Sequence, residues 1–466
     1  MTENPLGYEK IPKLLKEFAI PSILAALVGS LYNIVDQIFI GQGVGYLGNA
    51  ATNVSYPFST ICLAISLLIG IGSASCFSLY LGKKKPESAA KAAGNGITLM
   101  VIFGLAYLII GESMLTQLLK LFGATKEVFP FAQQYASIIL VGMPFLIITN
   151  GMSNLIRADG SPRYSMTCMM IGAIVNTILD PIFIFIFHWG IFGAALATIL
   201  GQFLSFVIAI RYLWHFKTIH FEKNCFQPNI KQSLKTCSMG ISSSVNQIAI
   251  TFVQIILYNS LTYYGAQTAY GSDIPLAACG IVMKTNAIIL AIVVGISQGV
   301  QPIIGFNYGA EQYARVREAY LLAIKWNMIV STIGFFLLQC FPQQIISLFG
   351  DGDKLYLEFA VLFMRIYLFM VLVNGVQLLS SSFFTAIGKA MKGALLSLTR
   401  QVFFLIPLIL ILPLRFGIMG VLFAGPIADF AAFILSVVLV SKELRKQKII
   451  SQKKNSLNIR KQPDTK

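Results

Sequence analysis

Residues Gly72–Gly82 read GSASCFSLYLG, and residues Gly299–Gly309, which lie 227 positions later, read GVQPIIGFNYG. Three more pairs of short motifs recur in the same order at nearly this offset: Leu121-Phe122-Gly123 with Leu348-Phe349-Gly350, Ala158-Asp159-Gly160 with Ala386-Ile387-Gly388, and Gly190-Ile191-Phe192-Gly193 with Gly417-Ile418-Met419-Gly420. One pair alone would be weak, but four ordered pairs indicate a duplicated chain. In an apolar chain, this duplication predicts two homologous membrane lobes, the architecture typical of transporters.

The composition predicts that lipid surrounds most of the chain. Hydrophobic residues make up 56% of the sequence and charged residues 12%, and the mean hydropathy is +0.74. A soluble domain carries roughly 25% charged residues. The net charge of +16 comes from Lys and Arg in short stretches between apolar runs. That distribution is typical of loops that set membrane topology and argues against nucleic-acid binding.

Apolar segments of about 20 residues predict twelve transmembrane helices, six in each lobe. The predicted spans are 18–40, 55–80, 93–112, 135–156, 164–187, 191–213, 237–263, 278–306, 320–341, 357–384, 393–413 and 418–440. The predicted domains are an N-lobe at 1–214, a linker at 215–235, a C-lobe at 236–441 and a basic tail at 442–466. The tail has the composition of a disordered segment.

The alternation of charge between loops predicts the orientation of the chain. Lys83–Lys85, Arg157 and Arg163 follow even-numbered spans, whereas residues 41–54, 188–190 and 264–277 carry no Lys or Arg. By the positive-inside rule, both termini are then cytoplasmic. The duplicated lobes enter the membrane in the same direction, so the repeat is parallel and its axis runs along the membrane normal.

Two aspartates inside apolar spans are the strongest candidates for a functional site, because an ionisable group in a membrane is costly. Asp36 and Asp180 lie about 18 and 16 residues past the starts of spans 1 and 5, which places both roughly 24–27 Å above the inner boundary. Thr198 in span 6 reaches a similar depth. Tyr32 and Asn176 each precede one of the aspartates by one helical turn. The N-lobe therefore offers carboxylates, an amide, a phenol and a hydroxyl in one layer.

Two neighbouring carboxylates in a low-dielectric interior require a proton or a bound cation, which suits a coupling site for protons or sodium. Two alternatives stay open at this point. Each aspartate could hydrogen-bond a kinked helix near Pro181, or the two could face separate cavities.

The C-lobe has no matching carboxylate pair, so ion coupling is expected in the N-lobe. Polar and adaptable side chains in the C-lobe are candidates for a substrate cavity: Asn246, Gln254, Met283, Lys284, Asn374 and Gln377. Lys284 and Asp429 could instead form a neutralising pair. Without a CxxC pair and with the three His near span ends, neither a disulfide framework nor a buried metal cluster is expected.

The combined motifs resemble the multidrug and toxic compound extrusion (MATE) family over roughly residues 10–440, and its bacterial MepA-type and DinF-type branch in particular. The motifs are Val35–Gly41 (VDQIFIG), Asn154–Gly160 (NLIRADG), Asn176–Pro181 (NTILDP) and Gly190–Ala195 (GIFGAA). The resemblance implies a V-shaped fold with two rocking lobes. It also implies a cation site at Asp36, Asn176, Asp180, Ala194 and Thr198, supported by Tyr32, Tyr135 and Asn154.

The expected function is secondary antiport, without an enzymatic activity or cofactor, of amphipathic and mostly cationic compounds in exchange for protons or sodium. The expected setting is a bacterial cytoplasmic membrane, with the protein as a monomer in the lipid bilayer. No Gly-rich Lys-Ser/Thr phosphate loop occurs in the sequence. A rival function is a flippase for an anionic lipid-linked saccharide, for which Lys284, Arg365 and Arg400 would supply cations. A membrane-embedded enzyme and a channel are less consistent with these patterns.

Overall fold

The computed structural model describes residues 4–348 and 354–460, and these residues form helices without any strand. The helices of the first half are α1 (Pro5–Tyr8), α2 (Ile11–Gly43), α3 (Tyr46–Gly82), α4 (Pro86–Ser113), α5 (Leu115–Leu121), α6 (Phe129–Ala158), α7 (Pro162–Pro181) and α8 (Gly190–Arg211). Those of the second half are α9 (Ile230–Gly265), α10 (Asp273–Gly309), α11 (Tyr313–Cys340), α12 (Pro342–Ser347), α13 (Lys354–Tyr367), α14 (Val371–Ala386), α15 (Ala390–Leu398), α16 (Ile406–Ile411), α17 (Pro413–Phe416) and α18 (Ile418–Arg460).

Within the described ranges, eleven helical segments are long and apolar enough to cross a membrane. A twelfth span is formed by α13 and α14 together, which are bent by 49° at the break between them. The prediction of an all-α, twelve-span membrane protein is confirmed when this bent pair counts as one span. The repeated-motif residues Phe349 and Gly350 lie outside the described residues, as do residues 461–466 of the tail.

The predicted disorder of the tail is wrong for residues 442–460, because α18 continues as a helix to Arg460. Glu443 explains part of this continuation. Its carboxylate forms ion pairs with Lys389 and Lys392, which lie at the start of α15, so the first turns beyond residue 441 are attached to the bundle.

The fifth span of each half contains a proline and a stretch of π-helix, although the two stretches are not at equivalent positions of the repeat. In the first half, Ile182–Ile186 follows Pro181, and in the second half Thr399–Leu405 precedes Pro407. Proline lacks a backbone N–H and removes one i→i−4 hydrogen bond, so a local change in helical winding is expected nearby. The first of these stretches begins just beyond Asp180 and fixes where the regular part of that span ends.

Helices of the two halves approach each other closely at glycines of the repeated stretch. A Cβ added at Gly72 would collide with the carbonyl of Thr236, and one at Gly299 would lie 2.7 Å from Cα of Ala19. A Cβ at Gly82 would likewise collide with the carbonyl of Phe306. The ends of α3 and α10 and the beginnings of α2 and α9 therefore meet at one end of the bundle.

The beginning of the chain packs with helices of the second half. Leu6, Leu14 and Phe18 belong to one buried apolar cluster with Ile303 and Phe383. The main apolar cluster of the first half instead contains residues between Ala51 and Cys225. Because α2 starts in the former cluster and ends beside α7, this one helix contacts both halves.

Candidate functional site

Side chains of α7 and α8 form a continuous chain of hydrogen bonds. Asn176 Nδ2 donates to Asp180 Oδ1 and to Thr198 Oγ1, each at 3.2 Å. Thr198 Oγ1 in turn donates to the Ala194 carbonyl at 3.0 Å. Asn176 and Asp180 are one turn apart on α7 and project from the same face, so their spacing in the sequence explains their contact.

The helix α2 adds Asp36 to this group from the opposite side. The carboxyl groups of Asp36 and Asp180 lie within hydrogen-bonding range of each other. Tyr32, one turn before Asp36, and Tyr135 of α6 both lie within electrostatic reach of the two carboxyl groups. The two aspartates therefore share one site, and the alternative of separate cavities is wrong.

Three acceptor oxygens in this cluster are buried and have no hydrogen-bond donor among the described residues: Asp36 Oδ1, Asp180 Oδ2 and Asn176 Oδ1. A buried acceptor without a partner is unfavourable, and two facing carboxylates repel each other. A proton on one carboxyl, or a cation held between the oxygens, would remove both costs. The other alternative, in which the aspartates only brace a kinked helix, does not account for these free oxygens.

In the second half, the buried carboxylate of Asp429 is paired with an arginine. Arg400 Nε donates to Asp429 Oδ1 at 2.5 Å, and Asp429 is 6% exposed. Lys284 is exposed on α10 and forms no ion pair with a carboxylate of the described ranges. The alternative in which Lys284 pairs with Asp429 is not observed, because the Arg400 guanidinium occupies that carboxylate.

The remaining C-lobe candidates divide by exposure. Asn374 and Gln377 are buried inside the half, where Gln377 Nε2 donates to the Leu396 carbonyl at 3.1 Å. Asn246, Gln254 and Met283 are partly exposed on α9 and α10. Exposure therefore separates the two buried amides from the three partly exposed side chains.

Comparison with known proteins places the chain in a family. The MatE family model matches residues 21–182 and again residues 243–411, which is most of the chain and both halves of the duplication. The chain belongs to the MatE family.

Similar proteins cover almost all of this MatE chain. The multidrug export protein MepA of Staphylococcus aureus (strain N315) is 25% identical over 446 residues, covering 94% of this chain and 96% of MepA. A multidrug resistance MATE family transporter of the MOP superfamily, solved in an outward-facing conformation, superposes with a TM-score of 0.89 at 21% identity, covering 96% of this chain and 99% of that one. A MOP superfamily transporter from Pyrococcus furiosus gives the same values, and its description reports a binding pocket of reverse polarity.

One residue implied by the family resemblance lies apart from the others. Asn154 is 19 residues beyond Tyr135 on α6, which is roughly 28 Å along the helix axis. Its amide donates to the Asn150 carbonyl one turn earlier, at 2.8 Å. The structure does not bring Asn154 to the carboxylate cluster of this MatE protein.

Sequence patterns did not indicate Gln202, and they indicated Arg157 only as a loop cation. Gln202 lies one turn beyond Thr198, its Oε1 is buried without a donor, and the repeat offset of 227 matches it to Asp429. Arg157, inside the NLIRADG motif, is 5% exposed and donates to Gln298 of the other half at 2.7 Å. The repeat offset could have identified Gln202, but only the folded chain shows that Arg157 links the two MatE halves.

Proposed function

We propose that this protein is a secondary antiporter that exports amphipathic, mostly cationic compounds in exchange for protons or sodium. The observation that carries the proposal is the pair of facing carboxyl groups, Asp36 and Asp180, in a cluster where three buried acceptor oxygens have no donor in the described part of the chain. The name of the staphylococcal relatives, multidrug export protein, supports drugs as substrates. We further propose a monomer in a bacterial cytoplasmic membrane, with both termini inside.

In this mechanism the cation loads at Asp36 and Asp180 in one orientation of the lobes and leaves in the other. The cation shifts the equilibrium only if its affinity differs between the two orientations. Asn176 and Thr198 hold Asp180 in place, and Asp36 reaches it from a different helix, so relative movement of α2 and α7 changes the distance between the carboxyl groups. Sodium and protons would use the same oxygens and should compete.

One of the three cations that the flippase alternative requires is already paired with a carboxylate in the structure. Asp429 neutralises Arg400, and an arginine held by a buried carboxylate is poorly placed to bind a pyrophosphate. Lys284 on α10 and Arg365 on α13 remain, and both are exposed.

The test is dye efflux in inverted membrane vesicles, first under an imposed proton gradient and then under an imposed sodium gradient. Asp36→Asn and Asp180→Asn should each reduce gradient-driven transport to the level of vesicles without the protein. The double variant should lose little more, because the two carboxyl groups act as a unit. Asp273→Asn, which changes an exposed carboxylate at the start of α10, is the matched control and should transport normally.

Wild-type transport by the Asp180→Asn protein would remove the site assignment. Transport that follows sodium at constant pH and ignores a proton gradient would identify sodium as the coupling ion. Transport that responds to neither gradient would contradict antiport itself.

A further inference from the structure

A cavity of about 190 Å³ lies where the two halves meet, at the end of the bundle that contains the last residues of α3 and α10. Its lining includes Tyr80 and Lys83 from the end of α3, Lys235 and Met239 from the beginning of α9, and Tyr308 near the end of α10. The volume is below the roughly 300–1,000 Å³ of sites for drug-sized ligands. It suits a small group rather than a second drug molecule.

The cavity is positively charged. Lys83 and Lys235 are both part of its lining, and no carboxylate is among the lining residues. Lys235 Nζ donates to the Tyr80 hydroxyl at 2.8 Å and lies 4.4 Å from the centre of the Tyr80 ring. Lys235 is exposed, and this contact orients its ammonium group beside the Tyr80 ring at the edge of the cavity.

Within the described ranges, Lys83 and Lys235 form no ion pair with a carboxylate. Tyr308 lies within electrostatic reach of the Glu443 carboxylate. That carboxylate, however, is already paired with Lys389 and Lys392. Two cations that share a small space repel each other, and an anion between them would reverse that effect.

We propose that this cavity binds a phosphate group, held by the ammonium groups of Lys83 and Lys235 and by the hydroxyl of Tyr308. The source we infer is the headgroup of an anionic phospholipid, because apolar side chains such as Leu79, Met239 and Ile387 complete the lining. Basic pockets between membrane helices are typical sites for such headgroups.

The bound phosphate would contact both halves at once, since Lys83 follows α3 and Tyr308 belongs to α10. It would therefore stabilise the arrangement in which this end of the bundle is closed. The inference concerns a separate site and does not depend on the proposed coupling at Asp36 and Asp180.

The probe is phosphatidylglycerol, compared with phosphatidylcholine, added to the purified full-length protein in detergent and followed by native mass spectrometry. The wild type should retain phosphatidylglycerol in preference to phosphatidylcholine. The double variant Lys83→Ala/Lys235→Ala should weaken this retention by about tenfold or more, since even one charge-assisted hydrogen bond is worth that factor. Lys83→Arg/Lys235→Arg keeps both charges and should bind like the wild type, which separates loss of the site from misfolding.

Lys91→Ala and Lys231→Ala remove exposed cations outside the cavity lining and serve as matched controls. Equal retention by the Ala double variant and by these controls would overturn the proposal, as would equal retention of the two lipids by the wild type. Inorganic phosphate is the second probe, in a thermal-shift assay without lipid. Phosphate could protect the wild type but not the Ala double variant, while the wild type shows no preference for phosphatidylglycerol. That result would support the anion site but contradict the proposal that a lipid supplies the phosphate.

Discussion

At the scale of single residues, the two halves differ in whether the aspartates inside their membrane spans have hydrogen-bond or ion-pair partners. The first half leaves oxygens of Asp36 and Asp180 without donors, whereas the second half pairs Asp429 with Arg400. The unpaired oxygens can accept and release a cation, but the ion pair is already satisfied. We therefore propose cation exchange for the first half and a structural role for the Arg400–Asp429 pair.

The ion pair gives a prediction on stability. Arg400→Leu leaves Asp429 buried without its partner and should destabilise the protein by about 3–5 kcal/mol. Replacing both residues with leucine should cost clearly less than Arg400→Leu alone, because no isolated charge remains. The measurement is thermal unfolding of the detergent-purified variants in a double-mutant cycle. A double variant at least as unstable as the sum of the single variants would contradict this view.

Hydrogen bonds to the Asp159 carboxyl attach the segment after α8 to the turn between α6 and α7. Its carboxyl accepts from the Tyr212 hydroxyl and the Lys217 N–H, both at 2.7 Å, and from the Thr218 N–H at 3.1 Å and hydroxyl at 2.5 Å. Burial raises the pKa of Asp159, although the four donors act in the opposite direction. The Asp of the ADG motif therefore has a structural role in the first half, and the second half has Ile387 at the matching place.

At the scale of helices, the repeated stretch forms the seam between the halves. Gly72 of α3 lies against α9, the first long helix of the second half, and Gly299 of α10 lies against α2, the first long helix of the first half. Gly72 and Gly299, which are equivalent in the two repeats, therefore make equivalent contacts between the halves. Only a residue without a Cβ permits backbones to approach this closely.

The seam gives a prediction for glycine-to-alanine substitutions: the change should destabilise the protein at the seam and stabilise it where there is open space. Gly72→Ala and Gly240→Ala place a Cβ against the backbone carbonyls of Thr236 and Leu68, and each should destabilise the protein by about 1–3 kcal/mol. Gly29→Ala places a Cβ where no atom lies within 4 Å, so it should stabilise α2 by about 0.5–1 kcal/mol.

Thermal unfolding and vesicle transport of the three glycine variants provide the measurement. The seam variants should also transport poorly, because the halves cannot close at this end. If Gly72→Ala and Gly29→Ala had the same effect on stability, the close approach at the seam would be refuted.

At the scale of the whole molecule, the predicted orientation can be tested with a cysteine that is already present. Cys340 is exposed at the end of α11, whereas five of the other cysteines are buried and Cys237 is half-buried. The positive-inside assignment puts Cys340 outside the cell and the segments 83–91 and 217–235 inside.

An impermeant maleimide applied to intact cells should label the wild type, and Cys340→Ser should abolish that labelling. A cysteine introduced at Lys84 in the Cys340→Ser background should react only after the membrane is permeabilised. Labelling of that variant in intact cells would reverse the predicted topology.

The sequence by itself determined the membrane class, the duplication, the number of spans and the residues of the carboxylate cluster. These features depend on local properties: hydrophobic length, a fixed repeat offset, and an Asn and an Asp one turn apart on a helix. The cost of an ionisable group in lipid is large enough that the sequence alone identifies Asp36 and Asp180.

Only the tertiary structure decided which side chains meet across helices. The partner of Asp429 is Arg400 rather than Lys284, Arg157 reaches Gln298 in the other half, and Asn154 lies far from Tyr135. Such contacts depend on how far each helix is rotated and shifted along its axis, and rotation and shift are set by the packing of the whole bundle. The same reason explains why the cavity between Lys83 and Lys235, far apart in the chain, has no signature in the sequence.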